Sequence, residues 1–223
     1  MGIRSVHNPG SYLGLPTIWG RSKVYALAYV KDNIAKKILG WNNSHLSQAG
    51  KEIMIKSVAM AVPAYTMSVF KFPTTLCNKI NYALADFWWG SASSPGIHWK
   101  NWGSLSLPKS EGGMGFCGLA DFNLAFLAKQ GWRILSTSNA LWVSVLKSRY
   151  VPHCSFLEAT RGTSPSSAWA SILAGRAIMS QSSIWQIGSG QNVDFWRDNW
   201  IQRYPSFNLL SHMPTVAPIV SVN

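Results

Sequence analysis

The apolar residues in the first part of the chain recur at helical spacing. Between residues 21 and 40 they fall near helical spacing, as on one face of an α-helix. The members of this stripe are Val24, Leu27, Ala28, Ile34 and Ile38. Gly40 follows the stripe and is expected to end the helix.

Two further helices are predicted before residue 90. Residues 47–62 predict the second helix, since Ser47 can cap its first turn and Pro63 would end it. Its expected apolar face consists of Met54, Val58, Ala61 and Val62. Residues 73–89 predict the third, which begins with a proline suited to the first turn and ends before Gly90.

The pattern changes twice after residue 90. Residues 91–120 are rich in Ser, Gly and Pro and predict a long irregular connection. Helices are predicted at 121–135, with Asp121 as N-cap, and at 139–150 and 166–179. Two short apolar runs around Gly188–Asn192 predict a β-hairpin over residues 184–197.

The sequence therefore predicts a mainly α chain with a β-hairpin near its C-terminus. The expected segments are an extended entry (1–20), a helical subdomain (21–90), the irregular connection (91–120), a second helical segment with the hairpin (121–200) and an irregular tail (201–223).

The charge balance predicts a polyanionic partner. The chain has 223 residues, of which 20 are Lys or Arg and 8 are Asp or Glu, for a net charge of +12. A field of that sign attracts nucleic acid. Because residues 21–60 contain only two acids, Asp32 and Glu52, we expect the first two helices to contact phosphates without reading sequence. The candidate binding residues are Arg21, Lys23, Lys31, Lys36, Lys37, Lys51 and Lys56. We expect Trp41 to be a core ring.

No catalytic or metal-binding constellation stands out in the sequence. Two-metal polymerase and nuclease sites need clustered carboxylates, and no two acids are adjacent here. The Cys and His residues lack zinc-ligand spacing, and no phosphate-binding loop motif occurs. We therefore expect no catalytic residue, no metal and no cofactor. No apolar run reaches the ~20 residues of a membrane span, so no membrane partner is expected, and three distant cysteines favour a reducing compartment.

Several short strings occur in an order that resembles one family. They are Tyr12–Pro16 (YLGLP), Gly40-Trp41, Leu46–Lys51 (LSQAGK), Val62–Ser68 (VPAYTMS), Phe87–Gly90 (FWWG), Ile97–Trp99 (IHW), Pro108-Lys109, Gly112–Phe116 (GGMGF), Phe122–Ala125 (FNLA), Lys129–Arg133 (KQGWR) and Trp185–Gly190 (WQIGSG). Together they resemble the region downstream of the polymerase palm in reverse transcriptases of plant LINE-type (non-LTR) retrotransposons.

The resemblance implies a fold and a role. Residues 21–90 would form a thumb-like helical subdomain that holds a template–primer duplex, in agreement with the position of the positive charge. In that family the palm carries an Asp-Asp motif and a ribonuclease H domain often follows. This chain contains no Asp-Asp pair, so the resemblance supplies no catalytic residue and implies a non-catalytic fragment.

Other interpretations of the sequence remain open. The chain could be a retroelement relic without a selected function, or a structural or interaction domain. An unrelated complete enzyme is disfavoured by the missing motifs. The sequence leaves open whether the preferred partner is RNA, DNA or a hybrid, what the oligomeric state is, and whether the compartment is the nucleus or the mitochondrion.

Overall fold

A computed structural model describes residues 11–12, 15–16, 23–42, 46–90, 96–137, 139–184 and 186–188. The strands are β1 (Ser11–Tyr12) and β2 (Leu15–Pro16), which pair antiparallel. The helices are α1 (Lys23–Ala26), α2 (Ala28–Asn42), α3 (Gln48–Met54), α4 (Ala64–Met67), α5 (Thr74–Trp89), α6 (Trp102–Ser106), α7 (Leu119–Ser136), α8 (Leu141–Tyr150) and α9 (Ser167–Ser182).

The mainly α prediction is confirmed, and three predicted helix ends are well placed. The Ser47 hydroxyl accepts a hydrogen bond from Gly50 N at 3.2 Å, which caps α3. Pro73 and Gly90 flank α5 as its N-cap and C-cap. Gly40 is a correction, since α2 continues through it to Asn42. A glycine inside a helix costs only about 1 kcal/mol, which the packing of α2 can offset.

A π-helical turn over Ile55–Ala59 follows α3 and changes which residues are buried. Met60 N donates to Ile55 O at 3.1 Å, five residues back, so the turn is wider than an α-turn. Ile55 and Ala59 are buried there, whereas Ala61, predicted on the apolar face, is exposed. The prediction assumed one regular helix over residues 47–62, whereas the buried residues Ile55 and Ala59 lie one position after the predicted Met54 and Val58.

The main core lies around α5, which packs against α2 on one side and α7 on another. Of the predicted stripe, Leu27 just before α2 and Ile34 and Ile38 within it are buried, Ala28 is partly buried, and Val24 is 40% exposed. The core residues include Leu27, Val30, Ile34, Ile55, Met67, Leu76, Ile80, Leu84, Phe87 and Leu119. Trp41 packs against this cluster with its ring 5.5 Å from that of Phe87, so the expected core role of Trp41 is confirmed.

A buried amide joins α7 to the segment before α5. Asn123 Oδ1 accepts a hydrogen bond from Phe72 N at 2.8 Å. Its Nδ2 donates to Met67 O at 2.8 Å and to Phe70 O at 2.9 Å. The residue is 2% exposed, so this one side chain satisfies three backbone groups that water reaches poorly.

Residues 96–118 are more ordered than the irregular connection predicted over 91–120, since they include α6 and a 3₁₀ turn at Lys109–Glu111. Phe116 is buried, stacks on Trp102 at 5.2 Å and meets Trp88 edge-on at 5.1 Å. The glycine turn before it places Gly113 so close to Leu107 that a Cβ would lie 2.0 Å from the Leu107 carbonyl oxygen. Aromatic packing therefore joins this segment to α5.

The chain divides into two compact units, residues 1–176 and 177–223. Within the first, Trp169 is fully buried and stacks on Tyr150 at 4.7 Å. α7 begins after Gly118, so Asp121 lies in its first turn and is not its N-cap. Gly175 touches α7 so closely that a Cβ there would lie 2.4 Å from Ala128 N.

The second unit is described only as far as residue 188. It contains the end of α9, where Ser183 Oγ donates to Met179 O at 2.5 Å. Ile184, Gln186 and Ile187 have no regular structure, and the rest of the predicted hairpin lies outside the described residues, as does the tail 201–223. Within the described ranges, no helix combines the length and apolarity that a membrane crossing requires.

Candidate nucleic-acid interface

Three of the predicted binding residues, Lys31, Lys36 and Lys37, are exposed on α2. An α-helix turns by about 100° per residue, so Lys36 lies on the side of α2 opposite the buried stripe. Lys31 and Lys37 lie on the two edges of that stripe. The three ammonium groups are therefore distributed around the exposed surface instead of forming one row. Asp32 lies one turn before Lys36 and is the acid closest to it on this helix.

Lys51 lies among backbone carbonyls at the end of α5. Its Nζ donates to Gly90 O and to Trp88 O, the latter at 3.5 Å, and lies 5.6 Å from the centre of the Phe87 ring. Burial lowers the pKa of this ammonium group. The lysine joins α3 to the C-terminus of α5, where carbonyl oxygens lack helical partners.

Lys56 also makes contacts within the fold. Its Nζ donates to Met114 O at 2.8 Å and to Glu52 Oε1 at 2.7 Å, and it lies 5.6 Å from the Phe116 ring centre. Lys109 Nζ contacts the same Glu52 oxygen at 3.1 Å. Hydrogen bonds from these two lysines lower the pKa of Glu52. The pair of lysines around one carboxylate joins the π-helical turn to the segment before α7.

The side chains of the two remaining predicted residues lie outside the described part of the structure. Lys23 begins α1, and only its backbone is described, while Arg21 lies outside the described residues. The structure thus leaves Lys31, Lys36 and Lys37 exposed on different sides of α2 and places Lys51 and Lys56 at internal contacts.

Sequence reasoning overlooked a second basic surface on α7 and α8. Residues 122–157 contain no Asp or Glu, and their basic residues are Lys129, Arg133, Lys147 and Arg149. Trp132 on α7 is 55% exposed beside this charge. The signal for it in the sequence is the acid-free stretch itself.

In the described part of the chain, the carboxylates are either paired with basic side chains or lie apart from one another. Asp86 contacts His98 Nε2 at 3.0 Å, and Glu52 holds two lysines. In the part of the chain that the structure describes, no group of three His, Cys, Asp or Glu side chains is arranged to hold a metal ion. Burial raises the pKa of the Cys77 thiol to about 11, so this cysteine is protonated and unreactive at neutral pH.

Two proteins of Arabidopsis thaliana resemble the chain. "Uncharacterized mitochondrial protein AtMg00310" is 42% identical over 144 residues, which make up 64% of this chain and 94% of that protein. The chain belongs to the same family as this mitochondrial protein.

The second relative is much longer than the segment that is similar to this chain. "Putative ribonuclease H protein At1g65750" is 31% identical over 201 residues, which make up 87% of this chain and 32% of that protein. The match thus spans about a third of this relative's length. No family model matches the chain, and no solved structure matches it at a significant level.

Proposed function

We propose that the chain is a basic, non-catalytic nucleic-acid-binding fragment of retroelement origin, equivalent to the region after the palm of a plant LINE-type reverse transcriptase. The similarity to a longer relative named for ribonuclease H, an enzyme that acts on nucleic acid, supports this proposal. So does the ordered set of strings from Tyr12–Pro16 to Trp185–Gly190, several of which lie at core contacts. The exposed lysine surface of α2 carries the proposal.

The binding surface consists of Lys31, Lys36 and Lys37. The apolar side of α2 packs into the core, so the three lysines are exposed to solvent on a helix that the core holds in place. Their spread around the helix fits contact with phosphates at several positions along a duplex. Lysine is a point charge without planar geometry, so such contacts position a duplex and do not select bases.

The arrangement of the described carboxylates supports a non-catalytic role. Phosphoryl transfer in polymerases and nucleases uses carboxylates that hold two metal ions about 4 Å apart. Here Asp32 lies on α2, Asp86 is paired with a histidine and Glu52 with two lysines. We propose that this fragment holds a nucleic-acid strand and that chemistry, where it occurs, belongs to another part of a longer protein.

The test is the salt dependence of binding to a labelled duplex DNA, followed by fluorescence anisotropy. Each phosphate neutralised on duplex DNA contributes about −0.9 to the slope of log K against log salt concentration. If all three lysines engage, the triple variant Lys31→Ala/Lys36→Ala/Lys37→Ala should flatten the slope by about 3. Unchanged circular dichroism would show that the fold is retained, as expected for exposed positions.

The matched control removes the same charge elsewhere. Lys71, Lys79 and Lys100 are exposed and lie outside α2, so their triple alanine variant has the same net charge as the α2 variant. We expect it to alter the slope much less. Equal effects of the two triple variants would mean that only net charge matters, and an α2 variant that binds as tightly as the parent would refute the proposed surface.

A further inference from the structure

α7 presents an aromatic ring and two cations to solvent. Its buried side includes Leu127, Gly131 and Ile134. Lys129 and Trp132 are three residues apart and are neighbours on the outward surface, and Arg133 is one turn after Lys129. All three are exposed, and Trp132 retains 55% of its accessible surface.

Guanidinium groups stack on rings at two places in the same region. Arg133 lies over the Trp142 ring of α8 at 5.1 Å, and its Nη1 donates to Gln130 Oε1 at 3.3 Å. Arg149 lies over Tyr150 at 5.4 Å, and that ring stacks on the buried Trp169. These contacts hold the guanidinium groups in place with N–H donors left for a ligand.

The positive charge of α7 and α8 indicates which kind of partner this surface would bind. α8 also exposes Leu141 and Val145, which by themselves would suit an apolar protein partner. However, residues 122–157 contain four Lys or Arg and no acid. Asp121 in the first turn of α7 is about 16 Å along the helix axis from Trp132. A polyanion that also offers flat apolar faces satisfies both features, and a strand with unpaired bases is such a ligand.

We propose that the α7–α8 surface binds an unpaired segment of nucleic acid, with a base stacked on Trp132 and phosphates contacted by Lys129 and Arg133. Bases inside a duplex are stacked on each other and cannot reach the ring, so this surface favours single strands. The inference rests on the proposed class of ligand, nucleic acid, but not on the α2 surface.

The test measures binding of a fluorescein-labelled oligothymidylate by anisotropy. Loss of one base–aromatic stack should make Trp132→Ala bind roughly 5- to 100-fold more weakly. Trp132→Phe, which keeps a stacking face, should recover part of that affinity. Because the ring carries no charge, the salt slope should stay the same, and inorganic polyphosphate, which has no bases, should bind both variants as it binds the parent.

Tyr82→Ala is the matched control. Tyr82 is 65% exposed, but its ring contacts His98, which is paired with Asp86, so a negative charge lies nearby. We expect this variant to bind the oligonucleotide as the parent does. The α2 lysine variant separates the two proposals, since it should weaken duplex binding while the effect of Trp132→Ala on the single strand persists.

Two results would overturn the inference. One is a Trp132→Ala protein that is stably folded and binds oligothymidylate with parental affinity. The other is an equal loss of oligothymidylate and polyphosphate binding, which would show that the ring supports the charged surface and does not stack on bases.

Discussion

Replacing Asn123 with leucine should strongly destabilise the fold. Leucine keeps the branching at Cγ and the number of side-chain heavy atoms, so the main change is the loss of hydrogen bonds. It removes the bonds that Asn123 makes with Phe72 N–H, Met67 O and Phe70 O. A buried backbone group left unsatisfied costs about 1–3 kcal/mol.

The expected loss is about 3–5 kcal/mol, because Phe72 N and Met67 O are bonded in a buried setting while the bond to Phe70 O is only partly buried. A typical domain is stable by about 5–15 kcal/mol. For a chain of this size each kcal/mol lowers Tm by about 2–4 °C, so Tm should fall by about 6–20 °C.

Urea unfolding followed by circular dichroism would measure the loss as a lower midpoint with an unchanged m value. Hydrogen exchange would test the local reason, because the Phe72 amide should exchange faster than in the parent. Asn78 is exposed on α5, so Asn78→Leu is the control and should change stability by less than about 0.5 kcal/mol. A cost below about 1 kcal/mol for Asn123→Leu would refute the reasoning.

Three further predictions concern other parts of the chain. Gly175→Ala should cost about 1–3 kcal/mol in urea unfolding, because its methyl group would meet the α7 backbone, whereas Gly188→Ala, where the added group meets nothing within 4 Å, should be nearly neutral. Because the pKa of Glu52 is lowered in the fold, its ion pairs stabilise the protein fully at pH values above the ordinary glutamate pKa of 4.5, and this stabilisation is lost as pH falls through the lowered pKa. The difference in unfolding free energy between the parent and Glu52→Gln should therefore shrink on acidification, and a difference that stays constant would contradict this. The purified chain with Mg²⁺ or Mn²⁺ should show neither template-dependent nucleotide incorporation nor RNA cleavage, and activity that co-purifies with the chain through stringent steps would disprove this.

Local rules of the sequence predicted much of the helical framework. The period of 3.6 residues, the Ser47 cap and the Pro73 and Gly90 boundaries are short-range features, because each depends on residues within about one turn. The same rules failed at the π-helical turn, where the sequence resembles an ordinary helix and long-range packing decides which side is buried.

The candidate site was predictable in charge but not in geometry. The number and spacing of lysines identified α2 as basic, and Lys31, Lys36 and Lys37 are exposed there. Nothing in the sequence distinguished them from Lys51 and Lys56, whose backbone carbonyl partners lie 37 to 58 positions away.

The sequence by itself thus determined the longer helices, several of their ends and the excess of positive charge, because these depend on neighbouring residues and on composition. Only the tertiary structure decided which charges face solvent and which hold the fold together. Asn123 shows the reason: its string Phe122–Ala125 was noticed in the sequence, yet its three partners lie more than 50 residues earlier in the chain. A hydrogen bond over that separation exists only once the helices have packed.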